Sequence, residues 1–235
     1  MITRCSKDRP WYINLLFCFI CLVGIVVLPT VLSLMYSEYI KSEVVSTFLS
    51  EVTFVLMLVA MYYKDLINEA KTFKKNFKKS MKSSFKYYVM GIMSMIFFNL
   101  LITMVLKNDI STNESQVREM LFNNTIFALI NISLYAPISE EIIFRKSIQP
   151  LISNKWLYAL VCGVLFGGAH ILTNVLGGSF VISDLIYILP YGSLGVAFAL
   201  MDYENKSVFN SMTIHCLHNT MTALLLLSMF YLGVA

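Results

Sequence analysis

Apolar residues in this chain neither alternate with polar ones nor recur as short stripes; they fall in long runs, near 11–35, 46–63, 86–106, 122–137, 156–172, 180–200 and 207–232. A helix needs about 20 residues to cross a ~30 Å hydrocarbon layer, a length most of these runs reach. The alternation of a membrane β-barrel strand is absent, and a bilayer tolerates no unsatisfied backbone, so the runs predict helices. The expected fold is all-α, a polytopic transmembrane bundle of about seven spans, multi-pass in the cell membrane. No internal repeat is visible, which gives no support to an inverted-repeat carrier.

One polar stretch is itself periodic. From Lys64 to Lys86, Leu66, Ala70, Phe73, Phe77, Met81 and Phe85 recur every three or four residues among many lysines. This describes a basic amphipathic helix lying on a membrane surface, held by anionic lipid. Arg4, Lys7 and Arg9 precede the first run, Arg145, Lys146 and Lys155 lie between runs four and five, and Lys206 precedes the last. Seven spans place all of these on one side, and the positive-inside rule makes that side, with the N-terminus, cytoplasmic. The first run is too long for a signal peptide and no small-x-small site follows it, so it is expected to be a retained span.

Composition agrees with the pattern: 57% of residues are hydrophobic and 14% charged, against about a quarter charged in ordinary soluble domains. The lipid bilayer is an expected partner, and no nucleic acid is. Cys18 and Cys21 form a CxxC, but no second Cys or His pair completes a metal or redox site, so packing is expected of them. The chain is expected to divide into residues 1–110, three spans with the amphipathic helix near 64–86, and residues 111–235, which carry the chemistry. The two form one continuous bundle.

Ionisable residues at membrane depth are the informative feature, since each costs about 2.5–3.5 kcal/mol even on a lenient scale. The segment from Ala136 to Arg145 carries Glu140, Glu141 and Arg145 in an apolar run, with Pro137 placed to kink it. Glu141 and Arg145 are i and i+4, the favoured order for an ion pair. Glu140 points about 100° away and is left without that arginine. A turn near Ser153 to Lys155 puts Glu140 and His170 equidistant from it, so an antiparallel hairpin brings them to similar depth. Gly163, Gly167 and Gly168 suit close helix approach. His215 and Asn219 share a face of the last span, while His218 faces elsewhere. Lys206 places His215 only about 13 Å up that span, shallower than Glu140 and His170, so tilt or an uneven boundary has to make up the difference. His218 and Asn174 are read as structural, Glu51 and Asp184 as hydrated residues near the outer ends of spans two and six, and Pro190 and Gly192 as a bend that could open a cavity.

Glu140-Glu141-x-x-x-Arg145, Phe166-x-x-x-His170 and His215-x-x-x-Asn219, in this order, resemble the motifs of the CAAX protease and bacteriocin-processing family of intramembrane glutamic endopeptidases. The resemblance implies hydrolysis of a peptide bond in a membrane-associated peptide or protein. Glu140 and His170 would activate water, His215 and Asn219 would form the oxyanion site, and Glu141 and Arg145 would hold the geometry. No metal or other cofactor is expected; zinc, for which Glu and His are plausible ligands, ranks second because HExxH is absent. The rival reading is a non-catalytic membrane protein for bacteriocin self-immunity or partner binding. Oligomeric state is not legible.

Overall fold

The computed structural model describes residues 5–106, 111–176, 178 and 180–233. Among them every regular element is helical. After a 3-10 turn at Ser6–Asp8 come α1 (Trp11–Ser37), α2 (Glu43–Leu106), α3 (Thr112–Asn123), α4 (Thr125–Leu151) and α5 (Lys155–Leu176). A second 3-10 turn, Ile182–Tyr187, leads into α6 (Ile188–Asn205) and α7 (Phe209–Tyr231). Six stretches are long and apolar enough to cross a membrane. Their outer faces expose residues such as Leu15, Phe19, Met93, Phe97 and Leu225. So broad an apolar exterior is a liability in water and the ordinary outside of a bundle in lipid.

Runs two and three and the amphipathic stretch between them form one unbroken helix, α2, instead of three pieces. It is not straight. At 1.5 Å per residue its 64 residues would extend about 96 Å, yet both ends reach one region. Glu51 lies within electrostatic range of Glu140, and Met95, Asn99 and Ile102 share a cavity with that same Glu140. The helix therefore doubles back on itself, and its two apolar arms count as separate crossings, which gives seven. The bend coincides with the amphipathic stretch, where Lys71, Lys74, Lys75, Lys78, Lys79, Lys82 and Lys86 are exposed and Phe73 stacks on Phe209.

The first arm of α2 packs antiparallel on α1, with the Tyr36 and Thr53 hydroxyls 2.7 Å apart at one end and Phe17 edge-on to Tyr62 at the other. The second arm runs antiparallel to α6, from the Asn205 amide donating to Ser84 to Ile102 packed on Tyr187. The glycines of α5 serve a different neighbour from the one expected. A Cβ on Gly163 would stand 2.9 Å from the Gly192 carbonyl oxygen, and one on Gly167 would stand 2.6 Å from that of Ile188. They let α5 cross α6, not α4, and Gly168 has nothing within 4 Å. Pro190 falls in the first turn of α6, where its missing N–H costs nothing, just after the span passes from the 3-10 turn Ile182–Tyr187 to α-helix.

Where a kink is expected in α4, two π turns, Asn131–Tyr135 and Ile142–Lys146, lie on either side of the α-helical segment Ala136–Glu141. Pro137 lacks the N–H that an α-helix would use and crowds the carbonyl four residues back. The wider turn just before it relieves that conflict, and the Ala136 N–H bonds to the Asn131 carbonyl instead. Such turns occur disproportionately at functional sites. Here they bracket the two glutamates.

Candidate active site

Glu140 on α4, Phe166 and His170 on α5, and His215 and Asn219 on α7 all line one cavity of about 470 Å³. The depth mismatch expected for His215 is resolved by the turn before α7. Ser207, Asn210 and Ser211 are fully buried, and Glu69 of α2 draws the turn inward by accepting from the Val208 N–H and, at its backbone carbonyl, from the Ser207 hydroxyl. The start of α7 is thus packed inside the bundle.

Glu141 and Arg145 pair as their spacing predicts, Oε1 to Nη1 at 3.2 Å, with both side chains wholly buried. The guanidinium also donates to the Gly195 carbonyl and lies over the Phe166 ring at 4.6 Å. On the same Glu141 oxygen sits His215 Nδ1, 2.9 Å away. A carboxylate held by a guanidinium acts as acceptor, so Nδ1 donates and Nε2 is turned toward Glu140 Oε2, at 3.6 Å. The Phe198 ring stacks on His215 and fixes its plane. Glu140 itself remains 20% exposed, on the cavity wall.

His170 does not hydrogen-bond to Glu140, although it is near enough to feel its charge. Its Nδ1 lies 2.8 Å from the Phe166 carbonyl, which only accepts. Nδ1 therefore carries the proton, and the Nε2 of the neutral ring is a free base. Tyr191 stacks on this ring at 4.2 Å and exchanges a hydrogen bond with Ser111, at the N-cap of α3, at 2.8 Å. Asn219 donates from Nδ2 to the Ile132 carbonyl, inside the first π turn, at 3.0 Å. The amide keeps a second N–H beyond that bond.

The residues read as structural fall in different places. Asn174 donates to Asp184, which also accepts from the Val181 N–H, so this pair staples the end of α5 to the following turn. Cys18 and Cys21 are free and buried in the core. His218, however, does not face away: it lines the same cavity, with Nδ1 hydrogen-bonded to the Tyr88 hydroxyl at 3.1 Å. Phe198, Tyr191 and Tyr88 went unrecognised in the sequence because nothing marks one aromatic among so many; only Pro190, beside Tyr191, hinted at a cavity there. Among the described residues no group of three or more His, Cys, Asp or Glu side chains is arranged to hold a metal ion.

Comparison with curated proteins and with solved structures gives no match. A family model does match, over a stretch that contains every motif residue while leaving α1, α2 and nearly all of α3 outside it. With those residues gathered at one cavity, residues 122–221 match the model of the family described as type II CAAX prenyl endopeptidase Rce1-like, consistent with the CAAX protease family that the three motifs resemble.

Proposed function

We propose that the chain is an intramembrane endopeptidase that hydrolyses a peptide bond in a membrane-associated peptide or protein, with glutamate and histidine in place of a metal. The observation that carries this reading is His215, held from behind by Glu141 and facing Glu140 at a cavity that also holds His170 and Asn219. A water placed between Glu140 and the His170 Nε2 loses its proton to Glu140 as its oxygen attacks the peptide carbonyl. The oxyanion that develops is met by the second N–H of Asn219 and by Nε2 of His215, which donates when the ring carries a proton on both nitrogens, the Nδ1 proton resting on Glu141. The carbon–nitrogen bond then breaks, and the proton taken by Glu140 passes to the leaving amine. Glu141 and Arg145 touch no substrate; they keep the His215 ring in place.

The test compares membranes containing the native chain with membranes containing Glu140→Gln, at matched expression, by mass spectrometry of small membrane-associated peptides. Gln keeps the shape and removes the base. A general base contributes about 10²–10⁴ in rate, so a product seen with the native chain is expected to fall at least a hundredfold, with unchanged thermal unfolding in detergent. Lipid-facing Met93→Leu serves as the control. Full retention of the product by Glu140→Gln would move the protein to the immunity or partner-binding class.

A further inference from the structure

The cavity is one-sided. On α4, which runs away from the α3 end, it takes Ile132, Ala136 and Glu140 and stops. On α5 and α7, which run toward that end, it begins at Phe166 and at His215. The second arm of α2 contributes from Met95 to Thr103, and α6 contributes only its first turns, Pro190 to Leu194. Every helix that lines the cavity thus lends the half that lies toward α3, whose own Glu114 and Val117 form the rim with Ser111 and Asn113.

The other half is sealed. Directly beneath Glu140 lies the buried layer of Glu141, Arg145, Phe166 and Phe198. Below that, Lys146 is clasped by Asp65 and Glu69, and the Tyr158 hydroxyl donates to Asp202 at 2.6 Å. The lysine-rich bend of α2, Lys155 and Lys206 all belong to this closed end, and among the described residues no lysine or arginine lines the cavity. The closed end is therefore the one that the positive-inside rule keeps in the cytoplasm.

We propose that the cavity is open to water and to substrate from the extracytoplasmic side, past the rim made by α3, and closed from the cytoplasm. The substrate of the proposed peptidase would then be a peptide segment that is exposed on, or dips in from, the outer face. This rests on the cavity being the substrate site, but the test below reads only accessibility and needs no turnover, so it fails or succeeds independently of the peptidase reading.

The full chain is expressed with Cys5 and Cys216 changed to Ser, since the other three cysteines are buried. Single cysteines are then placed at the rim (Val117→Cys), within the cavity (Ile102→Cys) and on the basic bend (Lys78→Cys), and probed with a small charged thiosulfonate that does not cross membranes. Val117→Cys and Ile102→Cys are expected to label in intact spheroplasts, and Lys78→Cys only in inverted vesicles. Glu114→Cys repeats the rim position should Val117→Cys fail to accumulate, and Thr103→Cys does the same for Ile102→Cys. Labelling of the rim and cavity positions only in inverted vesicles would reverse the side and overturn the proposal. Labelling of the cavity position from neither side would overturn it as well, because the cavity would then not be open to water.

Discussion

Arg145 and Lys146 are neighbours on one helix, and both are charged and buried, yet they belong to two clusters with different fates. Lys146 bonds to Glu69 and stands 3.6 Å from Asp65. Asp65 also accepts from the Ser6 N–H and hydroxyl and faces Arg9 at 3.8 Å. That cluster ties the N-terminal turn, α2, α4 and the turn before α7 together, and none of its charged side chains lines the cavity. Arg145 holds Glu141, which holds His215, whose free nitrogen faces Glu140 on a cavity. Among the described residues Arg145 Nε has no hydrogen-bond partner. Burying either set is costly, so burial alone does not mark chemistry. The mark is a chain of bonds that stops at an open wall.

Removing the cation from the closed cluster is the larger way to stress this contrast. Lys146→Met leaves a buried Asp65 and a partly buried Glu69 with one positive partner fewer, and breaking a buried pair costs about 3–5 kcal/mol. Thermal unfolding in detergent should show a large drop in midpoint. Cleavage per folded molecule should stay at the native level, and a selective loss of cleavage would break the division into a structural and a reactive cluster.

Asn219→Ala works the other way. Its donor bond to the Ile132 carbonyl is a single neutral one, worth about 1 kcal/mol of stability. A donor aimed at an oxyanion is worth about 2.7–4 kcal/mol of barrier, a fall of roughly 10²–10³ in turnover. The expected result is near-native unfolding with a large loss in kcat and little change in KM. Equal losses in stability and rate would make Asn219 a brace for the π turn and nothing more.

How far the sequence reached follows the same division between local and tertiary physics. The Glu141–Arg145 pair was legible because i,i+4 geometry belongs to one helix. So was the separation of Glu140 from it. Which helix the α5 glycines would meet was not, since a smooth face is visible in sequence and its partner is not; α6 took that place through Gly192 and Gly195. The assignment of His218 away from the site failed for a related reason. Its angle from His215 is fixed by the helix, but the cavity is broad enough to reach both, and Tyr88 from a distant arm of α2 turns the ring. The depth of His215 depended on Glu69, over 130 residues earlier, pulling a turn inward. No local pattern records that.

The smallest effect is expected where the closed cluster is most redundant. Ser6 reaches Asp65 through its hydroxyl at 2.7 Å, but its backbone N–H contacts both carboxylate oxygens as well. Ser6→Ala removes only the first of these bonds and leaves Arg9 and Lys146 beside the carboxylate, so about 1 kcal/mol of stability should go, the typical net worth of one hydrogen bond. Cleavage should not change at all, because nothing in this cluster ends at the cavity. A fall in cleavage with Ser6→Ala at native stability would mean that the N-terminal turn communicates with His215 through the adjacent Lys146 and Arg145, and the two clusters would have to be treated as one.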